Sequence, residues 1–114
     1  MRENFYMLEY KTMRMLCMFD LPVDLPEERK AYRDFRKNLI KEGFIMIQYS
    51  VYVRTCPSRE YGNRLVSRVK KFAPSKGNIR LLTITEKQYN DMKIIVGSRK
   101  LNEERVGSGR FTVI

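Results

Sequence analysis

Histidine is absent from this 114-residue sequence, and cysteine occurs only twice. Without histidine the chain has no Ser-His-Asp or Cys-His catalytic arrangement, no histidine zinc ligand and no histidine general base. Cys17 and Cys56 lie far apart, so they form neither a CxxC pair nor a four-cysteine zinc site. We interpret them as reduced, buried thiols. Any chemistry must therefore use carboxylate, lysine, tyrosine or cysteine side chains, or a metal ion held by oxygen ligands.

Long apolar runs are also missing. No stretch approaches the ~20 apolar residues of a membrane helix. The N-terminal segment contains Glu3 and Glu9 and has no uninterrupted apolar core, so it does not have the pattern of a signal peptide. The sequence therefore predicts a cytoplasmic protein with no membrane partner.

Acidic residues are few relative to basic ones. The 13 Asp and Glu residues stand against 23 Lys and Arg residues, which gives a formal net charge of +10. The 43 % of apolar residues and the chain length fit one globular domain. Such a charge attracts polyanions, and nucleic acid is the first candidate, ahead of an anionic membrane.

The hydrophobic pattern predicts a strand, a helix, two strands, a helix and a strand. The apolar run over 13–19 ends at Asp20 and fits a buried strand. The first helix is expected to start at Asp24–Glu27, with Asp24 as the cap and Glu27 completing a capping box, and to end near Glu42. The remaining predictions are two strands over 44–54 with a kink or tight reversal near 48–50, a helix from Ser58 to about Phe72, and a strand over 79–85.

This order is that of a ferredoxin-like α+β fold, an antiparallel sheet with two helices on one face. Its other face would be uncovered, and apolar residues on both faces of 44–53 indicate that a second copy covers it. A short helix from Glu86 to about Asp91 follows. The extended segments 92–96 and 111–114 would add to a sheet edge, in the same chain or in a partner, and 97–110 is expected to be mobile. We therefore divide the chain into an N-terminal extension (1–12), a ferredoxin-like domain (13–91) and a C-terminal extension (92–114).

Asp20 is the carboxylate most like a site residue, because it ends the first buried strand. Aspartate in this position also commonly caps a turn, and position alone leaves both interpretations open. Mg²⁺ is often held by one or two carboxylates together with waters and phosphate oxygens. Two Asp20 side chains meeting across a dimer axis would form such a site.

Both predicted helices have a basic outer face. Such faces are often only solvated surface, but here the whole chain keeps a large positive charge. We therefore expect phosphate contacts, and the lack of a base-reading motif indicates recognition of backbone and shape. The candidate residues are Lys30, Arg33, Lys37 and Lys41 on the first helix, and Arg64 and Lys71 on the second.

Aromatic residues in the 44–54 region allow a further interpretation. Phe44, Tyr49 and Tyr52 could stack on RNA bases, as in RNA-recognition modules, or pack in the core or a dimer interface. The aromatic-rich motif of such RNA-binding modules is missing, which favours packing.

Three segments resemble the CRISPR-associated Cas2 family, the smaller CRISPR adaptation protein, and most closely its type II-A branch. They are MRMLCMFDLP, EERKAYRDFRKNLIKEGFIMIQYSVYV and KGNIRLLTITEKQ, and the resemblance extends over 13–92. It implies a ferredoxin-like homodimer whose C-terminal strands complete the partner's sheet, with Asp20 as catalytic residue and Mg²⁺ ligand. Phe19 stands where the family commonly has tyrosine.

The resemblance also implies a function in CRISPR spacer acquisition. We expect a homodimeric scaffold that bridges dimers of the CRISPR-associated integrase (Cas-one) and holds duplex prespacer DNA. Two alternatives stay open: an Mg²⁺-dependent endonuclease acting on RNA or double-stranded DNA, and an RNA-binding ferredoxin-like module.

Overall fold

The structure, a computed structural model, describes residues 12–99. Within that range the chain forms four strands and three short to medium helices. Their bounds are β1 Met13–Asp20, α1 Pro26–Lys41, β2 Ile45–Gln48, β3 Val51–Cys56, α2 Arg59–Phe72, β4 Asn78–Thr85 and α3 Glu86–Asn90. The predicted element order is therefore confirmed up to β4, and so is the short helix that follows it.

The four strands form one antiparallel sheet in the order β2-β3-β1-β4. Together with two helices between the strands, this is the ferredoxin-like α+β arrangement that the sequence predicts. The stretch 44–54 is divided by a tight reversal, with Ser50 in the left-handed region at a φ of 62°. The sequence left a kink or a reversal open, and the structure shows the reversal.

The main core lies between the sheet and the two longer helices. Alternation along β1 directs Met13, Met15, Cys17 and Phe19 to this side. The Phe19 ring packs edge-on to Phe35 of α1, with 5.1 Å between ring centroids. The buried helix residues include Leu39 on α1 and Gly62, Leu65 and Val69 on α2, so one face of each helix packs against the sheet.

The start of α1 differs from the prediction. Leu25, not Asp24, is the N-cap residue, and Glu28 replaces Glu27 as the capping carboxylate. Its Oε1 accepts hydrogen bonds from the backbone N–H groups of Leu25 at 2.9 Å and Asp24 at 3.1 Å. The reason is that Pro26 begins the helix, which places Glu28 at the third helical position, from which glutamate reaches back to the cap.

The second face of the sheet is partly covered by the chain itself, whereas the sequence led us to expect it uncovered. α3 folds back across it, and the buried Tyr89 packs against Leu16 and Val53. The cover is only partial, since Leu82 on the same face is 49 % exposed. The sequence missed this because five residues of helix are enough to place one large aromatic ring over the sheet.

The C-terminal extension is described only up to residue 99. The segment 92–96 forms no strand with the chain's own sheet, so an additional strand within this chain is wrong for that segment, whereas pairing with a partner stays a prediction. The N-terminal extension up to residue 11, the terminal strand at 111–114 and most of the 97–110 segment lie outside the described residues. In the described range, no helix combines the length and the apolar character that crossing a bilayer would require.

Candidate nucleic-acid interface and metal-ligand position

Asp20 lies where the sequence places it, at the end of β1 and opposite Asn78 of β4. The turn before β4 passes close to it, because a Cβ atom on Gly77 would lie 2.7 Å from the Asp20 carbonyl oxygen. Gly77 also has a φ of +97°, which disfavours other residues. The glycine therefore fixes the backbone on one side of Asp20.

The Asp20 side chain is exposed and lies in a shallow depression with Met18, Asn78 and Arg80. Between residues 12 and 99 it accepts no side-chain hydrogen bond and joins no ion pair, whereas several other carboxylates do. A carboxylate with open oxygens at a strand end can bind a cation or a proton donor of a partner.

Residues 12–99 of one chain do not form a complete metal site. No group of three His, Cys, Asp or Glu side chains occurs together in the part of the chain that is described. Arg80 brings a positive charge into the same depression, which disfavours a divalent cation beside a single carboxylate. The donor set suits Mg²⁺ only if a second carboxylate is added, as a second copy of Asp20 would do.

The basic residues predicted on α1 are all exposed, but they are not equivalent. Lys30 forms an ion pair with Asp34 at 2.7 Å on the same helix. Arg33, Lys37 and Lys41 have no carboxylate within ion-pair distance in the described chain. These three cations are therefore the better candidates for contacts with phosphate.

The two basic residues predicted on α2 are exposed as well. Neither Arg64 nor Lys71 forms an ion pair with any residue between 12 and 99. The Arg64 guanidinium lies over the Tyr61 ring, 5.5 Å from its centroid. Both helices cover the same face of the sheet, so the structure brings the α1 and α2 cations into one layer, away from Asp20.

Sequence reasoning missed a cluster around Tyr61. Arg54 and Arg68 both donate hydrogen bonds to its hydroxyl group, and Arg68 is also paired with Glu42 at 3.0 Å. The hydrogen bonds from Arg68 and Arg54 lower the pKa of Tyr61. The spacing of Tyr61, Arg64 and Arg68 on one face of α2 is the signal that could have revealed it.

The three aromatic residues considered for stacking have different surroundings. Phe44 and Tyr52 are 2 % and 1 % exposed, so they pack in the core. Tyr49, at the hairpin tip, is 77 % exposed. These three residues therefore do not form a shared stacking platform, and the packing interpretation holds for two of them.

Nucleophilic catalysis by cysteine is not supported by these surroundings. Both thiols are buried, and burial raises the pKa of Cys17 to about 12. A protonated thiol without access to solvent is a poor nucleophile. The chemistry open to the described surface is the binding of anions by unpaired cations and the binding of a cation by Asp20.

Several known proteins are similar to this chain in sequence or in fold. The family described as CRISPR associated protein Cas2 matches residues 13–92. A protein named CRISPR-associated endoribonuclease Cas2 from Ligilactobacillus salivarius (strain UCC118) is 52 % identical over 102 residues, covering 90 % of this chain and all of that protein. A protein of the same name from Streptococcus mutans (strain ATCC 700610 / UA159) is 52 % identical over 87 residues, covering 76 % of this chain and 80 % of that one.

One similar solved structure is described as "Crystal structure of cas2". It aligns with a TM-score of 0.55 and 20 % identity over 78 % of this chain and 91 % of that chain, which supports the same fold. The relatives from Ligilactobacillus and Streptococcus fit the type II-A branch. On the match over 13–92 and these identities, the chain belongs to the CRISPR-associated Cas2 family.

Proposed function

We propose that the protein is a homodimeric, duplex-DNA-binding scaffold of CRISPR spacer acquisition. The observation that carries the proposal is the layer formed by α1 and α2, which exposes cations that form no ion pair with a carboxylate of residues 12–99. Arg33, Lys37 and Lys41 belong to it, with Arg64 and Lys71. Free cations on a rigid helical layer suit the regular phosphates of a duplex.

The expected affinity depends on how many phosphates these cations neutralise. Each neutralised phosphate releases counterions, so the logarithm of the association constant falls by about 0.9 per contact for each unit of log salt concentration. A dimer presents each cation twice. Five contacts would then lower affinity by several hundredfold, on the order of 10²–10³, between about 50 mM and about 200 mM salt.

Duplex binding measured by fluorescence anisotropy across this salt range tests the proposal. Replacing Arg33 and Lys37 with glutamate is expected to reduce the salt slope and to weaken binding to all duplex sequences alike. A matched pair of single variants sharpens the test. Lys37→Gln should weaken binding more than Lys30→Gln, because Lys30 is already paired with Asp34 at 2.7 Å. A salt-independent affinity, or a strong preference for one sequence, would contradict the proposal.

The homodimer is supported by the uncovered half of the second sheet face and by the segment that follows α3. Leu82 is 49 % exposed there, and Ile95 and Val96 are 89 % and 90 % exposed. β2 and β4 are the edge strands of the sheet, so a partner's extended segment has an edge to join. We further propose, from the resemblance to the family, that the homodimer bridges dimers of the CRISPR-associated integrase. This proposal predicts that the integrase co-elutes with the full chain in size-exclusion chromatography.

A second candidate function is a metal-dependent endonuclease acting on RNA or double-stranded DNA. It is favoured by the exposed carboxylate of Asp20, which has no side-chain partner among residues 12–99, and by the word endoribonuclease in the names of the relatives. In a dimer, Asp20 from both copies would hold Mg²⁺, which supplies charge stabilisation at a phosphate when bound. Asp20 would then position the ion, while the cations on the helices would hold the substrate's phosphates.

A further inference from the structure

A groove separates the C-terminal half of α1 from the tip of the β2–β3 hairpin. Three apolar side chains line it although they are open to solvent: Ile40 is 49 % exposed, Met46 38 % and Tyr49 77 %. Single exposed apolar residues are common on proteins, but several in one concave surface indicate a contact site.

Cations surround these apolar side chains. Arg33, Lys37 and Lys41 line the groove on the α1 side without an ion-pair partner among residues 12–99. Arg36 also lines it and donates a hydrogen bond of 2.7 Å to the Tyr52 hydroxyl oxygen, so its guanidinium is held in place. No acidic side chain of the described chain lines the groove, which therefore favours an anionic occupant.

We propose that this groove binds an acidic segment of a partner protein through an apolar anchor residue. The anchor would lie on Ile40 and Met46, while neighbouring carboxylates of the segment would face Arg33 and Lys37. An apolar centre inside a polar, charged rim is the usual anatomy of a protein–protein contact. An amphipathic helix supplies both parts when apolar residues one turn apart are flanked by glutamate or aspartate.

The aliphatic side chains argue for a protein rather than a nucleic acid. A duplex could contact the cations at the rim of the groove, but its charged phosphates would gain nothing from entering the groove beside Ile40 and Met46. Single strands are usually held by several stacked aromatic rings, whereas Tyr49 is the one strongly exposed aromatic side chain described in this groove.

This inference goes beyond the proposed scaffold function and can fail separately from it. Arg33 and Lys37 would serve both partners, so an acidic segment would compete with duplex DNA for them. Ile40 and Met46 would serve the protein segment alone. Substitution of Ile40 therefore tests the groove while the cations proposed to bind DNA stay in place.

The test measures binding of a labelled peptide to the full-length protein by fluorescence anisotropy at physiological salt. The peptide carries two leucines one helical turn apart, flanked by glutamates. Ile40→Asn is expected to weaken binding about tenfold or more, the effect of losing one buried aliphatic contact. Val23→Asn is the matched control, because Val23 is similarly exposed, at 46 %, and lies outside the groove. Lys37→Gln should also weaken peptide binding, and circular dichroism checks that each variant is folded.

Three results would overturn the proposal. One is that the peptide binds no more tightly than a version in which glutamine replaces each glutamate. Another is equal binding by Ile40→Asn and the wild type. The third is that Ile40→Asn and Tyr49→Ala weaken binding of a short single-stranded oligonucleotide but do not weaken binding of the peptide. The groove would then be a nucleic-acid site. If the scaffold proposal holds, the Ile40→Asn variant should bind duplex DNA with the same affinity as the wild type, whatever its effect on peptide binding.

Discussion

The buried ion pair between Arg14 and Glu86 allows a quantitative test of how α3 is held on the sheet. Arg14 Nε lies 2.6 Å from Glu86 Oε2, and a second guanidinium nitrogen lies 3.0 Å from Oε1. The two side chains are 4 % and 0 % exposed. The guanidinium also lies 4.5 Å from the centroid of the Tyr89 ring. Removing the carboxylate therefore leaves a positive charge in a site that water does not reach.

Glu86→Gln keeps the side-chain shape and removes the charge. Breaking a buried pair by changing one partner typically costs about 3–5 kcal/mol, and the remaining amide oxygen can still accept one hydrogen bond, so we expect a loss of about 3 kcal/mol in the free energy of unfolding. For a domain of this size that corresponds to a fall in Tm of about 12–24 °C. Thermal unfolding followed by circular dichroism, at one fixed protein concentration, measures it.

Glu60→Gln is the matched control for this variant. Glu60 also lies in the first turn of a helix, so both changes remove the same favourable interaction with the helix dipole, but Glu60 is exposed. Glu60→Gln should lower the free energy of unfolding by less than about 1 kcal/mol. The double variant Arg14→Met/Glu86→Leu should recover part of the lost stability, since both charges of the buried pair are replaced by apolar groups. A Glu86→Gln variant as stable as Glu60→Gln would refute the buried pair.

Three further predictions concern the site, the dimer and the thiols. Asp20→Asn should abolish any Mg²⁺-dependent cleavage of RNA or DNA while leaving duplex affinity unchanged; persistent cleavage by the purified variant would place the site elsewhere. Removing residues 92–114 should weaken the dimer, which light scattering would detect as a fall in molar mass. An unchanged molar mass would show that dimerisation does not depend on this segment. Because burial raises the pKa of Cys17 to about 12 from 9.0, its protonated form stabilises the fold below pH 9.0 and that contribution is lost as pH rises toward 12. A thiol reagent at about pH 8 should therefore label Cys17 only after unfolding, and rapid labelling of the native protein would contradict its burial.

Much of the fold was predictable because the hydrophobic pattern and the residues that typically end helices and strands indicate the same boundaries. The alternating and apolar runs end at Asp20, Gly43 and Pro74, and the elements end close to the same places. The N-cap at Ser58 accepts a hydrogen bond from the Tyr61 N–H at 3.1 Å, as its residue type predicts. The position of Asp20 in the fold was predictable for the same reason, because Asp20 is the last residue of β1.

Other features depended on tertiary contacts that no local pattern reveals. Arg14 interrupts an apolar strand, and its ion pair with Glu86, 2.6 Å away and 72 residues later, is a contact that helps to explain how a charge is tolerated there. The ion pair between Lys30 and Asp34, which separates Lys30 from the free cations, follows helical spacing but needs side-chain geometry to establish. The Tyr61 cluster combines residues of β3 and α2, which the sequence places in separate elements.

Alternate residues of β1 lie on the second sheet face and extend from the end that α3 covers to the end that is exposed. Arg14, Leu16, Met18 and Asp20 share this face, and their burial decreases in that order from the end under α3 to the exposed strand end. α3 is only five residues long, so it covers Arg14 and Leu16 and stops before Asp20. The uncovered end combines the apolar Leu82 with the charges of Asp20 and Arg80. A partner for this end must therefore supply both apolar contact and opposite charges, and in a two-fold dimer a second copy offers the same three groups in return.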